Sequence, residues 1–246
     1  MFIVDDDEEM PEFKARTSAI ISEKLEEMFE VSGINKRLKI LDGCKAMGRD
    51  KVSSMVLKSC SEEWARALQI IYSSSYSEGI VPEEWGMANV TPIFKKGSKL
   101  EAVNYRPVSL TSVCCKAMEG IVRDELMWYF YENNLISKQQ HGFVRRRACV
   151  TNLLECQNLV SKSVLEGNTV DVLYTDFSKA FDKVSHKKLI HKLKAYGVLG
   201  KMLDWVKAFL SGRKQCVVLG EDESGWEDVT SSVPQGSVLE PFLFVV

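Results

Sequence analysis

The chain has 246 residues and a mass of 27.8 kDa, room for one large domain or two small ones. Apolar residues make up 45% and charged residues 27%, so a core can form and wholesale disorder is excluded. No apolar run reaches the roughly 18–20 residues of a membrane span, and the opening MFIVDDDEEM has neither the basic nor the apolar region of a secretory signal.

The seven cysteines are odd in number and form no Cys-x-x-Cys. This predicts an intracellular, reduced protein, nuclear or cytoplasmic, neither secreted nor membrane-bound, with no disulfide framework and no zinc site. The formal net charge of −2 hides an asymmetry. Residues 1–30 hold ten acids and three bases, 3 − 10 = −7, which leaves −2 − (−7) = +5 for the rest. Basic clusters stand at Lys95-Lys96-Gly97-Ser98-Lys99, at Arg145-Arg146-Arg147 and between Lys183 and Lys194. They are compatible with a polyanion partner and equally with ordinary solvated faces.

The run Asp5-Asp6-Asp7-Glu8-Glu9 reads as a solvated tail. Helical spacing is expected from Thr17 to Val31, through Ile20, Ile21, Leu25, Met28 and Phe29, then from Ile34 to Met47. A third helix is expected from Ser61 to Glu78, with Trp64, Ala65, Leu68, Ile71 and Tyr72 on one face and Gly79 and Pro82 as its stop. Met87–Phe94 and Tyr105–Thr111 read as strands joined through Lys95-Lys96-Gly97-Ser98. Pro107 confines the second strand to an edge or a bulge. Helices are expected at Ser112–Asn133 and Cys149–Leu165. A buried strand, Val170–Thr175, then ends at Asp176. Further helices follow at His186–Tyr196 and Lys201–Leu210, a strand pair at Gln215–Leu219 and Trp226–Ser232, and the opening of an apolar helix at Ser237–Val246.

Three segments carry chemistry. In Tyr174-Thr175-Asp176-Phe177-Ser178-Lys179-Ala180-Phe181-Asp182, a strand end would aim the Asp176 carboxylate into a cleft, where carboxylate and phosphate oxygens suit magnesium. Alternatively, Asp176 caps the next turn. In Val233-Pro234-Gln235-Gly236-Ser237, a rigid turn can lay Gln235 against a nucleotide, or serve only to join strand to helix. In the third, lysines at a hairpin tip and Arg106 at the base of its second strand can grip a triphosphate, Arg106 through forked hydrogen bonds, or can be plain surface charge.

Taken in order, these pieces closely resemble the reverse transcriptase of non-LTR, LINE-type retrotransposons of the jockey and chicken-repeat kind. The matching text is Val81-Pro82-Glu83-Glu84-Trp85, Ala88-Asn89-Val90-Thr91-Pro92-Ile93-Phe94-Lys95-Lys96-Gly97, Asn104-Tyr105-Arg106-Pro107-Val108-Ser109-Leu110-Thr111-Ser112-Val113 and Gln140-His141-Gly142-Phe143. It closes with Asp176–Asp182 and with Val233-Pro234-Gln235-Gly236-Ser237-Val238-Leu239. The resemblance implies an α+β right-hand polymerase: an acidic tail and helical extension over 1–85, fingers over 86–169 and a partial palm over 170–246, with the thumb absent. It implies Asp176 as the first metal-binding aspartate, with the Phe177 carbonyl as an extra ligand, and Phe181 as the gate against a ribose 2′-hydroxyl. Gln235 and Gly236 would touch nucleotide and template, Lys95 or Lys96 and Arg106 the triphosphate, and Arg145, Arg146 and Arg147 the template backbone. The implied partners are an RNA template, a DNA primer and deoxynucleoside triphosphates. The implied cofactor is a pair of magnesium ions that stabilise in-line attack by the primer 3′-hydroxyl.

The family's aromatic-x-Asp-Asp motif does not occur after Gln235. One aspartate cannot hold two magnesium ions against their repulsion, so this chain by itself is expected not to polymerise. A non-catalytic nucleic-acid-binding remnant, or an inert or interaction fragment, stays open as another reading. Gly48-Arg49-Asp50-Lys51 stands where the family has Gly-Pro-Asp-Gly, so Lys51 is expected to strain its turn. Glu240 replaces the glycine before Pro241 and is expected to cap the last helix.

Overall fold

The computed structural model describes residues 10–21, 25–177 and 180–246. Four helices lead: α1 (Leu25–Met28), α2 (Val31–Lys39), α3 (Ser54–Ser59) and α4 (Ser61–Glu78). Of the expected helix over 17–31, residues 17–21 are non-helical, α1 covers Leu25–Met28, and residues 22–24 lie outside the described residues. Distant elements take the backbone groups that a helix would have used. Ile21 N donates to Gly197 O at 3.1 Å, and the Tyr129 hydroxyl donates to Ala19 O at 2.9 Å. The second expected helix is shorter than its pattern, because α2 stops at Lys39.

Helix α4 has the predicted bounds and ends at Gly79, whose φ of 64° is left-handed backbone that glycine adopts without a Cβ clash. It buries Ala65, Leu68, Tyr72 and Tyr76, while Ile71 of the predicted face is exposed. The Tyr72 hydroxyl, fully inside, donates to Cys114 O at 2.8 Å, which meets the need of a buried polar group for a partner.

After the short helix α5 (Glu83–Gly86), strands β1 (Met87–Phe94) and β2 (Tyr105–Leu110) form the expected antiparallel hairpin. Pro92 faces Pro107 in register, and β2 lies at the sheet's edge, as a strand containing proline requires. Helix α6 (Val113–Glu132) follows, its Ser112 cap accepting from Cys115 N. Helix α7 (Cys149–Leu165), also as predicted, has no buried residue. Helices α8 (His186–Ala195) and α9 (Gly200–Leu210) bring Leu193, Trp205, Val206 and Phe209 into the core formed with α2, α4 and α6.

Strand β3 (Lys214–Leu219) pairs in parallel with β1 and antiparallel with the two-residue strands β4 (Asp222–Glu223) and β5 (Glu227–Asp228). The predicted strand over 226–232 is thus reduced to β5. Helix α10 (Glu240–Val245) completes a mixed α+β architecture. Among the described residues, no helix is long and apolar enough to cross a membrane.

One expectation is overturned. Residues 170–175 form no strand; Leu173 and Tyr174 are each 88% exposed. Strand-like composition gives no strand without a neighbour to take its N–H and C=O groups, and among the described residues none of β1–β5 pairs with it. The strain expected at Lys51 is present: its φ is 54°, with its N–H bonded to Gly48 O at 3.1 Å. Gly48 itself is required by close approach, since a Cβ there would lie 2.7 Å from Ser112 N.

Candidate nucleotide-binding site

The Val233–Ser237 turn is held from two sides. Ser109 N, on the edge of β2 that faces away from β1, donates to Gln235 O at 2.8 Å. Gly236 (φ 111°) lies so close to this strand that a Cβ would come 2.8 Å from Ser109 O, so only glycine fits. On the other side, Glu119 of α6 receives three hydrogen bonds on Oε2: from Ser237 Oγ at 2.7 Å, Val238 N at 2.7 Å and Leu239 N at 3.2 Å.

Ser237 Oγ also accepts from Leu239 N and Glu240 N, so Ser237 supplies the cap that had been expected of Glu240. Glu240 is instead the first residue of α10, and its Oε2 accepts from Gly236 N at 2.8 Å. Burial pushes the Glu240 carboxyl above its ordinary range. Asp182 and Glu119 push the same way, against the Gly236 hydrogen bond and the Arg106 charge.

The turn also meets the Asp176–Asp182 motif. Gln235 Nε2 donates to Asp182 Oδ1 at 2.7 Å, Val233 N to Phe181 O at 3.3 Å and Ser232 N to Val184 O at 3.0 Å. A carboxylate only accepts, so Asp182 dictates which end of the Gln235 amide faces it. Phe181 lies between two aromatic rings, 4.7 Å from Phe244 and 6.3 Å from Phe143 by centroid. Phe177, 78% exposed, lines a cavity of about 430 Å³ with Gln140, Ala180, Lys183, Phe244 and Val245. Asp176 stands beside it in exposed coil, not at a strand end; Ser178 and Lys179 lie outside the described residues.

The basic residues are only partly gathered. Arg106 lies three residues from Ser109 on β2, roughly 10 Å at ~3.3 Å per residue, and its charge reaches Glu240. Lys95, bonded through its N–H to Asn104 O, and Lys96 are exposed at the hairpin tip, about 16 Å from Ser109 on the same scale. Arg145 and Arg146 are exposed. Arg147 is occupied within the protein: its Nη1 donates to Ser137 O, Lys138 O and Gln140 O, stapling the loop before α7. His141 bonds Thr151 at 2.9 Å and Glu155 at 2.7 Å, which tethers α7.

A magnesium pair needs several converging carboxylates. Among the described residues, no three His, Cys, Asp or Glu side chains converge. The residues present therefore do not by themselves fit a two-metal site. Sequence reasoning assigned no role to Asp182, Ser109 or Glu119. Only Glu119 left a signal, a charge among Cys115, Met118, Ile121 and Val122 on the apolar side of α6.

Residues 93–246, well over half the chain, match the family described as reverse transcriptase (RNA-dependent DNA polymerase). The chain belongs to the reverse transcriptase family. Among its relatives are the probable RNA-directed DNA polymerase from transposon BS of Drosophila melanogaster, 29% identical over 88% of this chain and 24% of that protein. The RNA-directed DNA polymerase from mobile element jockey of Drosophila funebris is 26% identical over 82% of this chain and 22% of its own length. The X-element protein of Drosophila melanogaster, a probable RNA-directed DNA polymerase, is 25% identical over 81% and 22%. The jockey-type resemblance is thus borne out over most of the chain, which spans under a quarter of the length of these curated relatives.

Proposed function

We propose that this reverse transcriptase segment holds the incoming deoxynucleotide. In this reading residues 86–169 are fingers, 170–246 part of the palm and 1–85 a helical extension. The observation that carries it is the seating of the Gln235–Gly236 turn between β2 and Asp182. This joins the two motif segments that the family resemblance assigns to the nucleotide.

Gln235 and Gly236 contact the nucleotide, and Phe181, backed by Phe143 and Phe244, screens the sugar 2′ position. Arg106 takes the triphosphate with a forked, charge-assisted grip, and Lys95 and Lys96 reach its far end. Arg145 and Arg146 contact the phosphates of an RNA template paired with a DNA primer. Arg147 plays no such part, because the loop carbonyls hold its guanidinium. Asp176, with the Phe177 carbonyl, is the segment's contribution to metal binding. One carboxylate in exposed coil does not assemble the metal pair, so the role assigned to these 246 residues alone is nucleotide holding, without polymerisation.

Titrating the full chain with a fluorescent deoxynucleoside triphosphate tests this. Binding is expected, weaker by about tenfold in Arg106→Ala, and Phe181→Ala should narrow the preference for deoxyribose over ribose. Wild-type chain that takes up no triphosphate at low salt would refute the reading.

A further inference from the structure

Glu119 lies in the middle of α6 and is fully buried. A buried carboxylate is costly unless its charge is answered. Here Oε2 receives Ser237 Oγ, Val238 N and Leu239 N, all about 120 residues away in sequence. Among the described residues, Oε1 accepts from no N–H or O–H group, with only the Cys115 thiol of the same helix beside the carboxylate, and Nη2 of Arg213, buried at the start of the chain leading into β3, has no hydrogen-bond partner. The Arg213 guanidinium is close enough to be influenced by the Glu119 charge.

Capping α10 does not require this carboxylate, because Ser237 Oγ already serves Leu239 N and Glu240 N. Burying Glu119 secures something else: it anchors the C-terminal side of the Gln235 turn to α6, while Ser109 N holds its N-terminal side on β2. The two grips, on Gln235 and on Ser237, are separated by Gly236 alone. If the Glu119 grip loosens, Gly236 can move off Ser109 O, against which it is tightly pressed.

We infer that Glu119 is a positioning residue that seats the Gln235–Gly236 turn on β2, and so sets the face that Gln235 presents to a nucleotide. Only the last clause rests on the nucleotide-holding reading; the seating stands without it.

The Ser109 amide reports on the seat, because its hydrogen bond goes to Gln235 O. Its hydrogen exchange is to be compared in Glu119→Ala, Glu119→Gln and Val122→Ala, at denaturant concentrations that equalise global stability. Val122 is fully buried on the same helix and serves as the control for mere destabilisation. Glu119→Ala should speed Ser109 exchange about tenfold beyond Val122→Ala. Glu119→Gln, whose amide oxygen still accepts but without charge, should speed it about threefold. Ser109 exchange in Glu119→Ala matching that of Val122→Ala would overturn the inference. If Glu119→Ala does not fold, Glu119→Gln decides by the same comparison. Triphosphate affinity measured on the same proteins separates the two claims. A wild type without affinity refutes nucleotide holding and leaves the seat to be judged at Ser109.

Discussion

Gln235 donates its Nε2 proton to the Asp182 carboxylate across 2.7 Å, tying the proline-glycine turn to the aspartate-phenylalanine motif 53 residues earlier. Because Asp182 has only acceptors to offer, the amide oxygen of Gln235 is turned away from it and keeps its capacity to accept a hydrogen bond. Neither residue alone fixes that orientation.

This pair should be energetically coupled. Removing either member leaves a partly buried polar group short of a partner, at a cost of about 1–2 kcal/mol. A double-mutant cycle of Asp182→Ala and Gln235→Ala, followed by urea unfolding, should show a coupling of about 1 kcal/mol. Additive losses would mean that the hydrogen bond contributes nothing.

Lys51 offers a gain in stability. Its left-handed backbone, φ 54°, brings Cβ too close to its own carbonyl, at about 1–2 kcal/mol for a residue other than glycine. Lys51→Gly relieves this and loses part of the gain to a freer unfolded chain. The net should be a stabilisation of about 0.5–1 kcal/mol in the urea midpoint. Lys51→Ala keeps the Cβ and should change little; a gain equal to that of glycine would assign the effect to the lysine side chain instead.

Glu240 sets a pH dependence. Its folded-state carboxyl is raised above its ordinary value near 4.5, chiefly by burial, with Asp182 and Glu119 adding to the effect. From about pH 4.5 upward through the raised value, the folded state binds more protons than the unfolded state, so this group's contribution to stability falls as pH rises. Glu240→Gln keeps an acceptor for Gly236 N and removes the charge. The variant should melt above wild type near neutral pH, and the difference should vanish below about pH 4.5. A melting difference that stays constant with pH would rule out this origin.

The three arginines before α7 should separate. Arg147→Ala removes the staple on the 137–140 loop and should cost about 1 kcal/mol while leaving the salt dependence of RNA binding unchanged. Arg145→Ala and Arg146→Ala should leave stability nearly intact and each reduce the slope of log affinity against log salt by about 1. Equal slopes in all three variants would contradict the division.

Much of this molecule is local. The apolar spacing in 61–78 and 113–132 produces α4 and α6 with nearly the expected bounds, because a helix closes its hydrogen bonds within its own segment. Gly79 stops α4 and Pro107 keeps β2 at an edge for equally local reasons, the left-handed φ of one and the missing N–H of the other. The motifs around Asp176, Gln235 and Arg106 were legible as text, and so was the family.

Contacts between distant segments decided the rest. The apolar run 170–175 had the composition of a strand, but a strand exists only where another supplies the opposing ladder, and that requirement is not written in the run itself. The parallel pairing of β1 with β3 joins residues about 127 positions apart. Glu119 reads along the chain as a charge misplaced on an apolar helix face, and becomes intelligible only when Ser237, Val238 and Leu239 bring it three donors. Local chemistry is set by neighbours in sequence; the value of a buried charge or an open strand is set by whatever the fold brings against it.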